Sequence, residues 1–580
     1  MTISHAKGYR YHSVLFHCLI YLIACVATTS SFAEGIPGVD RTGRSSEKPL
    51  PLPKELPPLP PEIQVPLSTP GQEKEPLSML PRVFVREIRV VGSTVFSQER
   101  LAEVTSPYLN RELTDTDLES LRLALTVLYI NSGYINSGAV IPDQTVTAGI
   151  ITLQIVEGKL TDVVIEGNRW FRSDYLRNRL LLGIGAPLNI SDIQEGLQIL
   201  QQDDRIKNVK AELKPGVQRG EAVLKVEIQE ETPFKVFPEY NNYQSPTVGA
   251  EQWLTTVVHQ NLTGHGDILS FMYGGSSGIE PQIEASYTLP FTEYDSTLTL
   301  HYKKNNFSEV QEPFKSLDIV SKSDIYGITL RQPVYRTVNH EIALALTGEY
   351  IRNKTYLDGE PFSFNLGAQN GKSTVTALRF SQEWIYRTPA QVIALRSRFS
   401  LGIDAFGATT SPSNLPDTQF FSWLGQFQWA RRLPILDMQS IVSIDWQLAN
   451  KSLLPVEEIA VGGRYSVRGY RENQLVTDNA LIASLETRIP IIRNRPWANS
   501  LEFAQFADFG RVWNTDFPTP SPSTIGSVGL GLRWESTVKY PFTWKPQFEF
   551  YWGLALKKIH NPDHNIQDDG IHFRFVIAVF

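Results

Sequence analysis

Apolar and polar residues alternate with a period of two over most of residues 233–580. One example is the run Val528, Leu530, Leu532 and Trp534, in which glycine or arginine fills the intervening positions. Successive side chains of a β-strand point to opposite faces, so this pattern predicts strands with one apolar and one polar face. At about ten residues for each strand, with turns between them, the segment holds roughly 14–16 strands.

Two architectures account for such a segment, a soluble β-sandwich and a membrane-spanning barrel. Ten of the eleven tryptophans lie in it, as expected for the aromatic girdles of a barrel. Its last strand-like run, residues 572–580, ends on an aromatic residue, and no run of 18 or more apolar residues follows residue 33 to provide a helical span. We therefore predict an antiparallel transmembrane β-barrel, which leaves no open strand edge in the bilayer.

The first 33 residues have the layout of an export signal. Lys7 and Arg10 precede an apolar stretch at residues 14–27, and small residues follow up to Ala33. This order is typical of a signal peptide, so we expect cleavage after Ala33 and export from the cytoplasm.

Both cysteines of the chain, Cys18 and Cys25, lie in this leader. Residues 22–25 resemble a lipoprotein cleavage box, so lipidation of Cys25 is an alternative to cleavage after Ala33. With ordinary cleavage the exported chain has no thiol, which excludes a disulfide framework, a thiolate metal site and a cysteine nucleophile.

Residues 34–81 form a proline-rich segment, with eleven prolines between residues 34 and 80. Such a composition favours an extended polyproline-type chain over a packed domain. We expect this segment to be a linker.

Residues 82–232 contain the same unit twice. Anchor positions of the first copy recur 75 residues later in the second: Ile88, Gly92, Phe96 and Leu101 correspond to Val163, Gly167, Phe171 and Leu176. A constant offset over a strand, a turn and a helix start indicates two copies of one unit. Each copy has the predicted order β-α-α-β-β, and we place the copies at residues 82–157 and 158–232.

Each unit is expected to expose one sheet edge beside a helix. The candidate edge strands are residues 138–142 in the first copy and 206–213 in the second. An extended polypeptide can add to such an edge through backbone hydrogen bonds, with alternate side chains in the neighbouring groove. The alternative is that the repeats are spacers that position the barrel.

Two glycine- and aromatic-rich motifs lie within the predicted barrel. Residues 462–472 read Gly-Gly-Arg-Tyr-Ser-Val-Arg-Gly-Tyr-Arg-Glu, and residues 506–510 read Phe-Ala-Asp-Phe-Gly. Arg468, at the centre of the first motif, is poorly suited to a solvated turn. A guanidinium inside a pore needs a carboxylate with good geometry, and Asp508 is the candidate partner. The alternative is that Arg468 is a surface turn residue and Asp508 an unrelated pore-lining acid.

The neighbours of this pair are expected to support the loop tip that carries Val467 and Arg468. Gly469 allows the backbone to turn tightly, and Tyr470 can wedge the tip against the barrel wall. Gly510 lies on the same strand face as Asp508 and leaves room for the tip.

Other chemistries have little support in the sequence. It lacks a Gly-x-Ser-x-Gly elbow, a His-Glu-x-x-His motif and a phosphate loop, so we expect neither an enzyme nor a cofactor. A net charge of −7 without a basic block disfavours nucleic acid as a partner. A cluster near the carboxyl end suggests a metal site, but we interpret it as a hydrated loop: Asp563, His564, Asp568 and Asp569.

The repeats resemble POTRA domains, and the whole layout resembles the transporter partner of bacterial two-partner secretion, of the filamentous-haemagglutinin and haemolysin-secretion (activation/secretion) type. Five stretches carry the resemblance through their order and spacing: residues 133–144, 205–216, 261–267, 462–472 and 506–512. The short stretch 261–267 has the composition of a tight periplasmic turn, whose residues we expect to fix a hairpin.

The resemblance implies a sixteen-stranded outer-membrane barrel with the POTRA domains in the periplasm. A long extracellular loop is expected to fold into the pore, where Arg468 pairs with Asp508. Members of the family move one large, partly unfolded exoprotein across the outer membrane without ATP and recruit it through the POTRA domains. Outer-membrane lipid and the machinery that inserts barrels are the other expected partners.

Some members of the family carry an amino-terminal helix that plugs the pore. Residues 34–48 are short and rich in glycine, so we do not expect such a helix here. A barrel-assembly insertase of the same superfamily is the main alternative function, although insertases usually carry three or more repeats. A passive porin or an outer-membrane hydrolase is a third alternative.

Overall fold

The computed structural model describes residues 63–64, 82–411, 415–540, 543–561 and 563–580. The predicted signal peptide, the alternative lipidation of Cys25 and the predicted absence of a plug helix all concern residues outside these ranges. Of the proline-rich segment, only strand β1 (Ile63–Gln64) is described.

The first repeat folds in the predicted order, with one additional short strand pair. The pair joins β2 (Val83–Val85) to β4 (Arg111–Leu113). The remaining elements are β3 (Glu87–Val91), α1 (Gln98–Thr105), α2 (Asp115–Asn131), β5 (Gly138–Val140) and β6 (Ile150–Val156). Their three-stranded sheet has the order β3-β6-β5, and the helices cover one face. Helix α2 begins at a capping box, in which Thr114 and Asp117 satisfy each other's backbone N–H groups.

The second repeat has the same plan. Its elements are β7 (Lys159–Glu166), α3 (Ser173–Leu181), α4 (Ile190–Gln201), β8 (Ile206–Pro215) and β9 (Glu221–Glu230). Strand β1 joins its sheet, which has the order β1-β8-β9-β7. The core is built from the inward faces of the two helices and the sheet.

Equivalent glycines explain why the two copies share one backbone. Gly92 has a φ of +85° and Gly167 a φ of +79°, a region that residues with a Cβ seldom adopt. A Cβ on Gly92 would lie 2.7 Å from the carbonyl oxygen of Ile155, and one on Gly167 would lie 2.6 Å from that of Ile228. In each repeat the chain must therefore pass close to the last strand, and glycine is the residue that fits.

Sixteen antiparallel strands form a closed barrel after the second repeat, which confirms the predicted fold class. They are β10 (Phe234–Asn241), β11 (Gln252–His259), β12 (Ile268–Ser276), β13 (Ile279–Pro290), β14 (Thr297–Ser308), β15 (Ile319–Arg336), β16 (His340–Leu357), β18 (Lys372–Arg387), β19 (Gln391–Gly402), β20 (Phe421–Leu433), β21 (Met438–Ala449), β24 (Asn479–Arg495), β25 (Ala498–Trp513), β26 (Thr524–Glu535), β27 (Trp544–Ala555) and β28 (Ile571–Val579). Strand β17 (Glu360–Pro361) pairs antiparallel with the end of β16, and β22 (Ile459–Val461) pairs with β23 (Leu475–Thr477).

The two faces of the barrel wall differ as the alternation predicts. On β15 the outward residues Tyr326, Ile328 and Leu330 are 46–55% exposed, as expected for a surface that contacts lipid. Arg331 lies on the opposite face and pairs with carboxylates of neighbouring strands, Glu341 and Glu383. The lumen is therefore polar and charged, while the outside is apolar.

None of the helices in the described ranges is both long and apolar enough to cross a membrane.

The second repeat rests on the turns at the end of the barrel where β10 begins. Arg172 N donates to the carbonyl of Gly264 (3.0 Å), and Gln202 Nε2 donates to that of Val338 (2.9 Å). Arg179 Nε lies 2.8 Å from Asp295 Oδ1, in the turn after β13. Three periplasmic turns thus hold the second repeat against the barrel.

The turn at residues 261–267 closes its hairpin and also contacts the second repeat. Asp267 Oδ1 accepts from the backbone N–H of Thr263 (2.9 Å), which closes the turn. A Cβ on Gly266 would lie 2.2 Å from Tyr175 Oη of the second repeat. Gly266 therefore allows the close approach of repeat and barrel, a requirement that local sequence reasoning did not detect.

Candidate functional site

A long loop between β21 and β24, residues 450–478, lies inside the barrel; we call it the pore loop. Its strands β22 and β23 form a buried hairpin. Val461 and Val467 of the loop have no exposed surface and pack against wall residues Val512 and Ile525. The loop is thus part of the packed interior of the barrel.

One arginine, Arg468, holds the tip of the pore loop. We call Arg468 together with its partners Asp508 and Glu486 the tip anchor. Arg468 Nε lies 2.8 Å from Asp508 Oδ2, and Nη2 lies 2.8 Å from Asp508 Oδ1. The backbone N–H of Arg468 also donates to Asp508 Oδ2 (3.0 Å). Nη1 donates to Glu486, and Nη2 donates to Ser484 Oγ (3.1 Å). Asp508 and Glu486 lie on the adjacent strands β25 and β24.

Because Arg468 is buried, its positive charge can be held in the lumen only with these partners in place. The side chain of Arg468 is 3% exposed and that of Asp508 is fully buried. Removing one partner of such a pair leaves an uncompensated charge and costs about 3–5 kcal/mol. The planar fork of arginine meets both carboxylate oxygens at once, which a lysine cannot do. The ring of Phe506, in the same motif as Asp508, lies 3.6 Å from Arg468 Cζ and adds a cation–π contact.

The two glycines of the predicted site lie where no larger residue fits. Gly469 has a φ of +91°, and a Cβ there would lie 2.8 Å from the carbonyl oxygen of Gly553. A Cβ on Gly510 would lie 2.6 Å from Val461 and 2.9 Å from Val467 of the pore loop. The pore loop and the barrel wall therefore approach so closely that a Cβ atom does not fit between them.

Tyr470 joins the tip to the wall on the other side. Its hydroxyl oxygen lies 3.1 Å from the carbonyl oxygen of Gly526 and 2.9 Å from that of Lys557, so its one hydrogen is shared between these two acceptors. The side chain is buried. The structure therefore brings Val467, Gly469, Tyr470 and Gly510 around the Arg468–Asp508 pair.

Sequence reasoning missed Glu486, which shares Arg468 with Asp508. Glu486 Oε1 also accepts from Arg488 Nε (2.6 Å) and from Tyr551 Oη (3.2 Å). Nothing in the local sequence marks Glu486, because its distance to Arg468 depends on the strand register. The pairing of Ser484 with Asp508 in the β24–β25 ladder places it there.

Two further arginines of the 462–472 motif have carboxylate partners outside the pore loop. Arg471 donates to Asp568 with Nε (2.7 Å) and Nη2 (2.6 Å). Arg464 Nη2 lies 3.3 Å from Glu549 of β27. The motif itself was recognised from sequence, but only Arg468 was assigned a partner.

The acidic cluster near the carboxyl end is a set of loop contacts. Asp568 binds Arg471, and His564 Nε2 lies 3.3 Å from Asp569 Oδ1. Within the described ranges, no group of three or more His, Cys, Asp or Glu side chains is arranged to hold a metal ion.

Part of each sheet edge that the sequence offered for an incoming chain is already occupied. On β5, the outward N–H of Ala139 donates to Thr126 Oγ1 (3.1 Å), and its carbonyl accepts from Arg122 Nη1 (3.4 Å). On β8, Ile63 and Gln64 of the proline-rich segment pair in parallel with Ala211 and Glu212. A partner that added to either edge would first have to displace these groups.

Comparisons with known proteins agree with this architecture. The family model of the haemolysin secretion/activation proteins ShlB, FhaC and HecB matches residues 220–534. A model of the ShlB-type POTRA domain matches residues 83–158.

Characterised relatives carry the name transporter. The outer membrane transporter CdiB of Dickeya dadantii (strain 3937) is 23% identical over 490 residues, which cover 80% of this chain and 84% of the relative. The hemolysin transporter protein ShlB of Serratia marcescens is 23% identical over 382 residues, 63% of this chain and 65% of the relative.

Solved structures share the fold. CdiB from Escherichia coli superposes with a TM-score of 0.64 at 21% identity, covering 88% of this chain and 93% of that one. CdiB from Acinetobacter baumannii gives a TM-score of 0.56 at 16% identity and covers 99% and 100% of the two chains. With a family model that matches more than half of its length, the chain belongs to the haemolysin secretion/activation family of two-partner secretion, as an outer-membrane transporter whose POTRA repeats lie in the periplasm.

Proposed function

We propose that this chain secretes one large partner exoprotein across the outer membrane through its barrel, and that the pore loop closes the lumen between transport events. The observation that carries the proposal is the tip anchor: Arg468, held by Asp508 and Glu486 inside a closed sixteen-stranded barrel. A buried, fully partnered charge fixes the loop in one position. It can be released when a passing chain supplies other partners.

Recruitment of the exoprotein is assigned to the first repeat. Helix α2 presents Leu123, Val127 and Ile130 at spacings of four and three, so they form one stripe on the helix. These side chains are 53%, 40% and 43% exposed. An exposed apolar stripe on a periplasmic domain fits the apolar side chains of an unfolded polypeptide. Because the outward groups of β5 are already bonded, the stripe supports recruitment better than addition to the strand edge does.

The transport step has no visible need for a nucleotide. The sequence lacks a phosphate loop, which supports translocation without ATP. Folding of the exoprotein outside the cell releases on the order of 5–15 kcal/mol for each domain and can bias the movement outward. If exoprotein variants that cannot fold are still exported at the normal rate, folding outside the cell is not the driving force of export.

The other partners follow from the barrel itself. Its apolar outer surface supports contact with outer-membrane lipid, and insertion of a barrel of this size supports a role for the cellular barrel-assembly machinery. An insertase is the alternative function, and the presence of two predicted repeats, against the larger number usual in insertases, favours the transporter.

The test is removal of the gene, with proteomics of the culture supernatant and the outer membrane. We expect one large exoprotein to disappear from the supernatant while other barrel proteins keep their levels. Complementation with the wild-type chain should restore it. A general fall in outer-membrane barrels would support an insertase instead, and no change in either fraction would leave passive conductance as the function.

A further inference from the structure

A second buried ionic cluster holds the pore loop at a different part of the wall; we call it the base anchor. Arg379 of β18 donates to Glu457 of the pore loop from Nη1 to Oε2 (2.9 Å) and from Nη2 to Oε1 (2.6 Å). Arg379 Nε donates to Glu349 Oε2 of β16 (2.9 Å), and Nη2 lies 2.8 Å from the same carboxylate. Nη1 also donates to Ser400 Oγ (3.0 Å).

This cluster is buried, although slightly less completely than the tip anchor. The side chains of Arg379 and Glu457 are 10% and 3% exposed. Every N–H direction of the guanidinium has an acceptor, and the contact with Glu457 is bidentate. Such an arrangement offsets the free energy that is needed to bury the charges. If one partner is removed, this desolvation free energy is no longer compensated.

The two anchors lie in separate sectors of the barrel. The base anchor uses β16 and β18, and the tip anchor uses β24 and β25, with β19, β20 and β21 between them. The loop is therefore attached to two separate parts of the barrel wall. Near the base, Gln447 Nε2 donates to the carbonyls of Glu457 (3.1 Å) and Asp478 (3.0 Å), which joins both ends of the loop to β21.

The charges at the two anchors have opposite signs. At the tip the loop supplies the cation, Arg468, and the wall supplies Asp508. At the base the loop supplies the anion, Glu457, and the wall supplies Arg379. Withdrawal of the loop would leave Asp508 without its arginine, but Arg379 would keep Glu349.

We propose that Arg379 is a positioning residue that holds the arm of the pore loop that contains Glu457. Release of the tip alone then does not open the lumen. The base anchor keeps the arm against β16 and β18, and full opening requires both anchors to break. This inference rests on the proposed role of the pore loop as the closure of the lumen.

The experiment is conductance of the purified full chain in planar lipid bilayers. It needs no exoprotein, so it gives its answer even if the proposed cargo transport is wrong. We expect Glu457→Gln, which leaves the wall pair Arg379–Glu349 intact, to raise the open probability several-fold. Arg379→Gln also removes the contacts with Glu349 and Ser400, so its effect should be at least as large. Adding Glu457→Gln to Arg379→Gln should raise the open probability no further, because the contact between the two residues is already lost.

Two further variants separate positioning from general damage. Combining Glu457→Gln with Arg468→Gln should raise the open probability by about the product of the single effects, because neither anchor then holds the loop. The charge-reversed pair Arg379→Glu with Glu457→Arg keeps the net charge. The arginine introduced at position 457 then faces two carboxylates, at positions 379 and 349, as Arg379 does in the wild type, so the conductance should return towards wild type.

The matched control is Arg331→Gln, which removes a lumen arginine paired only with wall carboxylates, Glu341 and Glu383. We expect it to leave the open probability close to wild type. Wild-type conductance for Glu457→Gln would overturn the proposal. Equal effects of Arg331→Gln and Glu457→Gln, or a charge-reversed pair no better than the single variants, would also overturn it.

Discussion

The two POTRA repeats share a fold but differ in what surrounds them. The second repeat lies on three periplasmic turns of the barrel, through Arg172, Arg179 and Gln202. The first repeat contacts the second repeat, for example through Asn136 Nδ2 to the carbonyl of Gly220 (3.0 Å) and through the N–H of Ile190 to the carbonyl of Gly133 (3.0 Å). The second repeat is thus attached directly to the barrel, and we call its contacts with the barrel turns the mount. The first repeat projects beyond it.

Their shared interior makes this difference informative. In the first repeat, Glu157 accepts from the backbone N–H groups of Thr94 (2.7 Å) and Val95 (3.1 Å). In the second, Glu230 accepts from Trp170 and Phe171 at 2.6 and 2.9 Å. The internal architecture was kept while the surfaces diverged, so the surface of each repeat indicates its role.

Deletion of residues 82–157 should have the largest effect. We expect export of the exoprotein to fall below detection, because the projecting repeat carries the apolar stripe, while a heat-modifiable barrel remains in the outer membrane. Immunoblots of supernatant and membrane fractions measure both. Export at the wild-type level would make the first repeat a spacer and remove the contrast between the repeats.

Loosening the mount should have the next largest effect. Arg205 Nε lies 2.7 Å from Asp203 Oδ1, and Nη1 donates to the carbonyl of Gly266 in a periplasmic turn. Arg205→Ala removes the guanidinium from the Asp203 carboxylate and from this carbonyl, at a cost of about 3 kcal/mol. We expect a broader distribution of distances between spin labels on the second repeat and the barrel, measured by electron paramagnetic resonance. Lys225→Gln, at an exposed pair with Glu166, should leave the distribution unchanged; broadening in both variants would contradict a specific mount.

Introducing charge on the apolar stripe should weaken recruitment. Each apolar side chain removed from water contributes about 1.5–3 kcal/mol, so Leu123→Asp with Val127→Asp should lower the affinity of the full chain for the exoprotein at least tenfold. Leu182→Asp, at a position of the second repeat that is 44% exposed, is the control. Binding is measured by surface plasmon resonance. If Leu182→Asp weakened binding as much, the two repeats would share recruitment.

The smallest effect concerns Glu157. Burial would raise the pKa of its carboxyl, but hydrogen bonds from Thr94, Tyr129 and Val95 outweigh it and place the pKa below the ordinary value. The contribution to stability is therefore present above the ordinary pKa of about 4.3 and is lost as the pH falls through the lowered pKa. At neutral pH, Glu157→Gln should speed amide exchange near Thr94 by about fivefold, or ~1 kcal/mol.

Hydrogen–deuterium exchange of the peptide around Thr94 measures this effect. The difference between wild type and Glu157→Gln should shrink as the wild-type carboxylate is protonated at low pH. Glu103→Gln, at an exposed helical pair with Arg100, should exchange like wild type. A difference that persists at low pH would mean that the hydrogen bonds of the charged carboxylate do not stabilise the turn.

Patterns that are local in sequence predicted much of the fold. The helix Asp115–Asn131 is the second helix of the predicted β-α-α-β-β order, and it was predictable because its cap and its apolar face lie within one segment. The alternation predicted a barrel, and the family resemblance supplied the number of sixteen strands.

The contacts that the sequence did not reveal are long-range ones. Arg379 and Glu457 are 78 positions apart, and their meeting depends on the β16–β18 register and on the path of the pore loop. A shift of one residue in a strand would turn each side chain to the other face. Similarly, the composition of the proline-rich segment did not indicate that Ile63 would pair with β8.

Site-specific photocrosslinking during export tests the central claim most directly. A photoreactive residue would replace Val127 on the first repeat, Glu502 on the lumen face of β25 or Leu530 on the outer face of β26, each in cells that export an exoprotein stalled by a folded carboxyl-terminal domain. We expect exoprotein adducts from positions 127 and 502 and none from position 530. An adduct at 530 without one at 502, or adducts of other barrel proteins at 127, would contradict passage of a recruited exoprotein through the lumen.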